Sequence, residues 1–248
     1  MFPAMTDLSP FAQLAANLTD VHARIAAAAR VAGRAADAIQ LLAVSKTFPA
    51  DAVRAAAATG QTAFGENYVQ EGVAKVQALA DLSPKLNLDW HFIGPLQSNK
   101  TRQVAEHFAW VHGVERLKIA ERLAAQRPAN LPTLQVLIQV NVSGESSKSG
   151  IAPDEVLDLA RGISALPALR LRGLMAIPEP TDDLDVQRAR FRTVADCLKT
   201  LIQQGFPVDT LSMGMSADLE SAIAQGSTLV RVGTAIFGQR TQRTNEEA

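Results

Sequence analysis

Eight short apolar runs alternate along this chain with Ala-rich stretches that have helical spacing. Such alternation is typical of an α/β fold with a parallel sheet, because each strand returns to the same edge through a crossover helix. The predicted strands cover residues 39–44, 62–65, 88–93, 110–113, 134–141, 169–177, 210–213 and 229–232. The predicted helices lie near residues 50–58, 68–80, 100–108, 116–126, 153–165, 186–204 and 217–224.

Eight strands with seven intervening helices favour a closed (β/α)8 barrel of the TIM type over an open sheet, and 248 residues suit one such barrel. The last predicted strand is followed by only 16 residues, so a full eighth helix does not fit there. We expect the amphipathic segment 8–31 to cover the barrel wall that this short tail leaves bare. The predicted organisation is one domain over residues 1–248, with an N-terminal helix at 8–33 and the barrel at 38–238.

Charge and composition exclude several classes of protein. The chain has 24 Lys plus Arg against 25 Asp plus Glu, so it lacks the basic excess that nucleic-acid binding requires. No segment offers the roughly 20 uninterrupted apolar residues of a membrane-spanning helix. The single cysteine, Cys197, cannot form an internal disulfide, which indicates a reducing, cytoplasmic compartment. We therefore expect a protein that binds neither nucleic acid nor membrane.

The C-terminal ends of the predicted strands carry the chemically unusual residues. In a (β/α) barrel these ends meet at one face, where the loops form the binding site. Because an unsatisfied polar group inside a barrel is costly, we expect the polar groups among them to face one shared, wet mouth. The residues are Lys46, Glu66, Asn67, His91, Asn141, Lys148, Met175, Ser212, Arg231, Gly233 and Thr234.

Lys46 follows the first predicted strand, and the turns after strands seven and eight resemble a phosphate site. A partly desolvated lysine can lose its proton near neutral pH, and the neutral amine can attack an aldehyde. The small residues in 211–216 (LSMGMS) and 230–235 (VRVGTA) would let backbone N–H groups approach a phosphate, as in many barrels. These features predict a phosphorylated ligand that carries a carbonyl group.

Two ligands satisfy that description: pyridoxal phosphate (PLP), or a sugar phosphate attacked directly as in an imine-forming aldolase. Arg231 would favour PLP if it contacts the pyridine nitrogen, since its fixed charge disfavours a proton there. No dinucleotide or Walker motif is present. The four histidines form no close-spaced ligand set, so no metal site is predicted; they are His22, His91, His107 and His112.

Seven segments together resemble the YggS/PROSC family of pyridoxal phosphate homeostasis proteins. They are 43–47 (AVSKT), 64–71 (FGENYVQE), 90–100 (WHFIGPLQSNK), 147–150 (SKSG), 172–178 (RGLMAIP), 211–216 (LSMGMS) and 231–238 (RVGTAIFG). The resemblance runs from about residue 10 to residue 240. It implies a fold like the alanine racemase N-terminal barrel domain, with PLP held as an internal aldimine on Lys46.

The resemblance also implies roles for the other site residues. Arg231 would face the pyridine nitrogen, and Asn67 would lie near the ring. Lys148 matches a second lysine that the family uses in cofactor exchange. The remaining predicted cofactor-binding residues are Met175, at the end of strand six, and Ser212, Gly233 and Thr234 at the phosphate. Phe48 departs from the family, because many bacterial relatives carry a lysine there.

The function implied by the resemblance is intracellular PLP homeostasis, with delivery of PLP to apoenzymes and little or no turnover. Expected partners are PLP, PLP-dependent apoenzymes and enzymes of vitamin B6 salvage, and we expect a monomer. Alanine racemases use a second base, a tyrosine, whereas the only tyrosine here is Tyr68, after strand two. The alternative hypotheses are a single-domain amino-acid racemase that uses PLP and a cofactor-free aldolase.

Overall fold

The computed structural model describes residues 11–82, 86–143 and 149–239, and eight strands alternate with helices over this part of the chain. The strands are β1 Gln40–Val44, β2 Ala63–Glu66, β3 Asp89–Phe92, β4 Trp110–Val114, β5 Leu134–Gln139, β6 Leu169–Met175, β7 Thr210–Ser212 and β8 Leu229–Val232. The helices are α1 Ala12–Val31, α2 Ala50–Ala58, α3 Val69–Ala78, α4 Thr101–His107, α5 Leu117–Gln126, α6 Val156–Ser164, α7 Leu184–Gln203, α8 Leu219–Ala224 and α9 Thr234–Phe237.

All eight strands are parallel and form a closed barrel, with β8 paired to β1. This confirms the predicted fold. Strands β5 and β6 end two residues earlier than their apolar runs suggested. Val140 forms only an isolated bridge to Ile151, and residues 141, 176 and 177 belong to the loops that follow the strands. Between the barrel and the helices lies the main apolar core, to which strand residues such as Phe64, Phe92 and Val111 contribute.

Helix α1 covers the barrel wall next to the short α9, as predicted. Its buried side chains, Leu14, Leu18, Val21 and Ile25, recur every three or four residues and so form one apolar face. That face packs against α8 and α9. Burial of each such side chain stabilises the fold by roughly 1.5–3 kcal/mol.

A bulge in β6 depends on glycine. The register between β5 and β6 shifts between Val136 and Leu137, and Gly173 there has φ +151. A Cβ at Gly173 would collide with the carbonyl oxygen of Thr210 on β7. Any side chain at this position would therefore separate two barrel strands.

We expect Gly173→Ala to lower the free energy of unfolding by about 1–3 kcal/mol through overpacking. Gly60→Ala is the matched control, since Gly60 also has positive φ (+100) but open space around its Cα. Urea unfolding would compare the two variants. Equal losses in both would assign the effect to backbone conformation and contradict the predicted collision.

Candidate functional site: a cationic cavity at the barrel mouth

A cavity of about 300 Å³ opens at the C-terminal ends of the strands. This volume is at the lower end of the range for small-molecule sites. Its lining residues come from loops and strand ends distributed around the barrel. They are Val44, Lys46, Phe48, Asn67, Ile93, Ile177, Met215, Ser216, Ala217, Arg231, Gly233 and Thr234.

The charge of this lining is positive. Lys46 and Arg231 are both among the lining residues, and no carboxylate is found among the described ones. Hydroxyl groups of Ser216 and Thr234 add hydrogen-bond donors, and Val44, Ile93 and Ile177 supply apolar surface. Such a lining suits a small anionic ligand with a flat apolar body.

Lys46 lies in a tight turn directly after β1. The backbone N–H of Phe48 donates to the carbonyl oxygen of Ser45 (3.0 Å), so Lys46 and Thr47 are the two central residues. Thr47 has φ +71, which is the sign that a type II turn requires at its third position. A β-branched residue rarely adopts this conformation, so surrounding contacts must hold the turn.

An aromatic pair joins this turn to α9, which follows the neighbouring strand β8. The ring of Phe48 stacks on that of Phe237 in α9, with 5.2 Å between centroids. Phe48 therefore occupies an apolar position at the cavity edge, where the aromatic contact replaces the charge that a lysine would bring.

Arg231 is held rigidly in the floor of the cavity. Its Nη1 donates to the carbonyl oxygen (2.5 Å) and to Oγ (2.8 Å) of Ser212, and Nη2 donates to the carbonyl oxygen of Ala176 (2.8 Å). Burial lowers the pKa of Arg231 to about 10, and the negative charge of Asp218 opposes that shift. The guanidinium therefore stays charged at neutral pH and can only donate.

A buried hydrogen-bonded chain runs from Arg231 through the barrel interior. Nδ1 of His112 lies 3.0 Å from Ser212 Oγ, and its Nε2 lies 2.8 Å from Nδ1 of His91. Arg231 acts only as a donor toward the Ser212 hydroxyl. That hydroxyl can therefore donate its own proton to Nδ1 of His112, and Nε2–H of His112 can donate to Nδ1 of His91. Nε2 of His91 lies 3.4 Å from the carboxylate of Asp89, at the start of β3.

The neutral state of His112 should make folding pH-dependent. Burial lowers the pKa of His112 well below its usual value, and the charges of His91 and Arg231 lower it further. A depressed folded-state pKa gives full stability above the unfolded pKa of about 6.5, and stability is lost as the pH falls toward the folded value.

Below pH 6.5, His112 should thus reduce the free energy of unfolding by up to about 1.4 kcal/mol per pH unit. Denaturant unfolding between pH 5 and 8 measures this slope. We expect His112→Gln to flatten the slope, because glutamine does not titrate. An unchanged slope in His112→Gln would contradict the prediction.

Small residues and hydroxyl groups shape the cavity wall formed after β7 and β8. A Cβ at Gly233 would lie 3.1 Å from the carbonyl oxygen of Val44, so the backbone here packs against β1 without room for a side chain. The loop after β7 is fixed from outside, because Nη1 of Arg24 in α1 donates to the carbonyl oxygen of Ser216 (2.8 Å). Oδ1 of Asn67 is buried without a hydrogen-bond partner among the described residues.

The cavity brings together five of the eight residues predicted to bind a cofactor. They are Lys46, Asn67, Arg231, Gly233 and Thr234. Ser212 and Met175 lie in the barrel interior instead, where Ser212 contacts Arg231 and Met175 packs with Trp110 and Leu137. Their direct contact with a ligand stays a prediction. Lys148 lies outside the described residues.

The expectation that the strand-end polar residues share one wet mouth was wrong for Glu66, His91 and Ser212, which are all fully buried. Glu66 is fully buried between the barrel and α3, where it pairs with Lys75 (2.8 Å), and His91 is fully buried inside the barrel. Side chains alternate between the two faces of a strand. Gly65 faces the interior beside Leu42, so Glu66 must face the helix layer.

Ser216 was not singled out from the sequence, although it lies in the turn after strand seven that we predicted to bind phosphate. Its place in the cavity wall depends on how the loop between β7 and α8 folds, because a hydroxyl group alone does not distinguish it from Ser212. The available signal was a hydroxyl group a few residues beyond a strand end, as at Thr234.

The model of the alanine racemase N-terminal domain family matches residues 17–241. A pyridoxal phosphate homeostasis protein of Vibrio cholerae is 57% identical over 229 residues, which cover 92% of this chain and 97% of the relative. The protein of that name from Pseudomonas aeruginosa is 58% identical over 227 residues, covering 92% and 96%. This chain belongs to the pyridoxal phosphate homeostasis protein family.

Solved structures of similar proteins agree with this family assignment. PipY of Synechococcus elongatus, determined with PLP bound, is 36% identical with a TM-score of 0.79, over 91% of this chain and all (100%) of that one. Alanine racemase of Corynebacterium glutamicum has a TM-score of 0.66 at 16% identity, over 92% of this chain and 64% of that one. The racemase therefore shares the barrel fold with this family member.

The described residues offer neither a membrane-spanning helix nor a metal site. None of their helices is both long and apolar enough to cross a membrane. No cluster of three or more His, Cys, Asp or Glu side chains among them could hold a metal ion. Burial raises the pKa of the Cys197 thiol, so this cysteine is mainly in its unreactive protonated form.

Proposed function

We propose that this protein binds pyridoxal 5'-phosphate reversibly and covalently through Lys46, and that it serves PLP homeostasis by holding the reactive aldehyde and releasing it to apoenzymes. The observation that carries the proposal is the cavity that contains Lys46, Arg231 and Thr234 and has no carboxylate in its described lining. Relatives named pyridoxal phosphate homeostasis proteins and the PLP-bound PipY structure support it.

Different cavity residues would contact the aldehyde, the phosphate and the ring of the ligand. Nζ of Lys46 would bond to the aldehyde carbon, and the hydroxyls of Ser216 and Thr234 would donate to the phosphate beside the small Gly233. Arg231 would donate to the pyridine nitrogen, and its three existing hydrogen bonds would keep it in place. Ser212 would act through Arg231, while Asn67 would contact the ring substituents with its otherwise unpartnered amide oxygen.

We propose that the protein has little or no catalytic turnover. When bound, PLP supplies an electrophilic aldehyde and an electron-withdrawing ring. Arg231 cannot give a proton readily to the ring nitrogen, because its pKa of about 10 keeps the guanidinium charged at neutral pH. Tyr68, the only tyrosine, is 55% exposed, precedes α3 and is not among the residues that line the cavity. Without a matched acid and base, proton transfer loses about two to four orders of magnitude.

The biological setting is part of the proposal. A carrier of this kind would act as a monomer in the cytoplasm, and would exchange PLP with dependent apoenzymes and with enzymes of vitamin B6 salvage. Lys148 would assist the exchange, and Met175 would support the ring from within the barrel. Free PLP reacts with exposed amines, so reversible storage limits damage and keeps the aldehyde available.

The decisive experiment is an absorption spectrum of purified protein with added PLP, before and after borohydride, followed by mapping of the modified peptide by mass spectrometry. We expect a visible band that borohydride removes, with the label on Lys46. A protein that stays colourless with excess PLP would overturn the proposal. Rapid hydrogen exchange at the α-carbon of added amino acids would instead favour the racemase.

A further inference from the structure

A buried ion network lies beside the turn that carries Lys46. Nζ of Lys75, on α3, donates to three oxygens: the carbonyl of Ser45 (2.7 Å), Oε1 of Glu66 (2.8 Å) and Oε1 of Glu71 (2.7 Å). All three protons of the ammonium group thus have acceptors. The side chains of Lys75 and Glu66 are 6% and 0% exposed, so the network is shielded from solvent.

The same two carboxylates also bind both neighbours of Lys46. Oγ of Ser45 donates to Oε1 of Glu66 (2.6 Å), and the backbone N–H of Thr47 donates to Oε1 of Glu71 (2.5 Å). The residues before and after Lys46 are therefore attached to one rigid cluster. The Lys46 backbone between them has little freedom to shift.

This cluster supplies the contacts that the strained turn requires. Thr47 has φ +71, a conformation that a β-branched residue adopts only when its surroundings impose it. Oε1 of Glu71 accepts a hydrogen bond from the backbone N–H of Thr47. Buried ion pairs are seldom the most stabilising way to fill a core. The contacts of this network with Ser45 and Thr47 instead fit a role in fixing the geometry of the turn.

We infer that Glu71, Lys75 and Glu66 are positioning residues for covalent capture of the aldehyde: they hold the 45–47 turn so that Nζ of Lys46 meets the ligand in a reactive geometry. None of the three lines the cavity. The inference rests on the proposed function, because it presumes that Lys46 bonds to PLP. The network would promote formation of the bond between Nζ of Lys46 and the aldehyde carbon. The cavity residues would recognise the ring and the phosphate.

Glu71 offers the sharpest test, since its side chain is 29% exposed and can be changed without leaving an empty core. Glu71→Ala removes the acceptor for Thr47, whereas Glu71→Gln keeps an amide oxygen in the same place. Glu121→Ala, at an exposed position of α5, is the matched control. Each protein would be mixed with PLP and, separately, with pyridoxine 5'-phosphate, which has a hydroxymethyl group in place of the aldehyde.

We expect Glu71→Ala to slow formation of the borohydride-reducible adduct by about tenfold or more, because misplacement of a reacting group is costly to rate. Its affinity for pyridoxine 5'-phosphate should stay within about twofold of wild type, since the cavity contacts are intact. Glu71→Gln should recover most of the rate, and Glu121→Ala should match wild type.

Two results would overturn the inference while leaving the proposed function intact. One is a wild-type rate of adduct formation in Glu71→Ala. The other is an equal loss for both ligands, which would indicate a general distortion of the cavity. A wild-type protein that forms no adduct on Lys46 would overturn the proposed function as well.

Discussion

Lys46→Ala should abolish the borohydride-reducible adduct and weaken PLP binding by about 100-fold or more, equivalent to about 2.7 kcal/mol. The methyl side chain cannot bond to the aldehyde, while the donors around Arg231 and the hydroxyl of Thr234 remain for the phosphate and ring. Intact mass after borohydride and a fluorescence titration with PLP would measure the two effects.

Lys118→Ala is the control for this experiment, because Lys118 is an exposed lysine on α5. It should form the same amount of adduct as wild type. If Lys46→Ala still formed a reducible adduct, another lysine would have to be the anchor, and Lys148 would be examined first.

Lys75→Met should lower the free energy of unfolding by about 3–5 kcal/mol near pH 8, since it leaves the fully buried carboxylate of Glu66 without its cation. Burial raises the pKa of Glu66, while the charge of Lys75 and its hydrogen bond hold that pKa down. Removal of Lys75 should therefore raise the pKa further.

The pH dependence of this loss has a defined sign. A carboxyl group with a raised folded-state pKa favours folding below its unfolded pKa, and that contribution is lost as the pH rises through the folded pKa. The deficit of Lys75→Met relative to wild type should thus be largest near pH 8 and should shrink toward pH 5. Urea unfolding at several pH values would show it.

The double variant Glu66→Gln with Lys75→Met tests the cause. It should recover part of the lost stability at pH 8, because no charge is then buried. A deficit that is the same at pH 5 and pH 8, with no recovery in the double variant, would mean that lost packing of the lysine stem is responsible.

The proposed roles of the ion network in aldehyde capture and of the cavity residues in ligand recognition distinguish this protein from the racemases that share its barrel fold. Here the network of Lys75, Glu66 and Glu71 would make capture efficient, whereas the described part of the chain offers no second base beside the cavity. Fast capture without turnover is the property that a carrier requires.

The sequence by itself determined the fold class. Strand positions followed from apolar runs whose number and spacing favour a parallel barrel, and their ends were predicted to within two residues. The seven family-like segments led to the family and to five residues that line the cavity. Both results rest on local pattern, since a residue near a parallel strand's C-terminal end must lie near the barrel mouth. The domain bounds stay a prediction.

Only the tertiary structure decided which way each strand-end side chain points. Glu66 and Asn67 are neighbours in sequence, yet Glu66 is buried beneath α3 and Asn67 lines the cavity. The chain from Arg231 to His91 and the triad of Lys75, Glu66 and Glu71 join residues that are 4 to 100 positions apart. Such contacts depend on barrel register and on helix placement. A one-residue change of register would turn every side chain of a strand to the opposite face of the sheet.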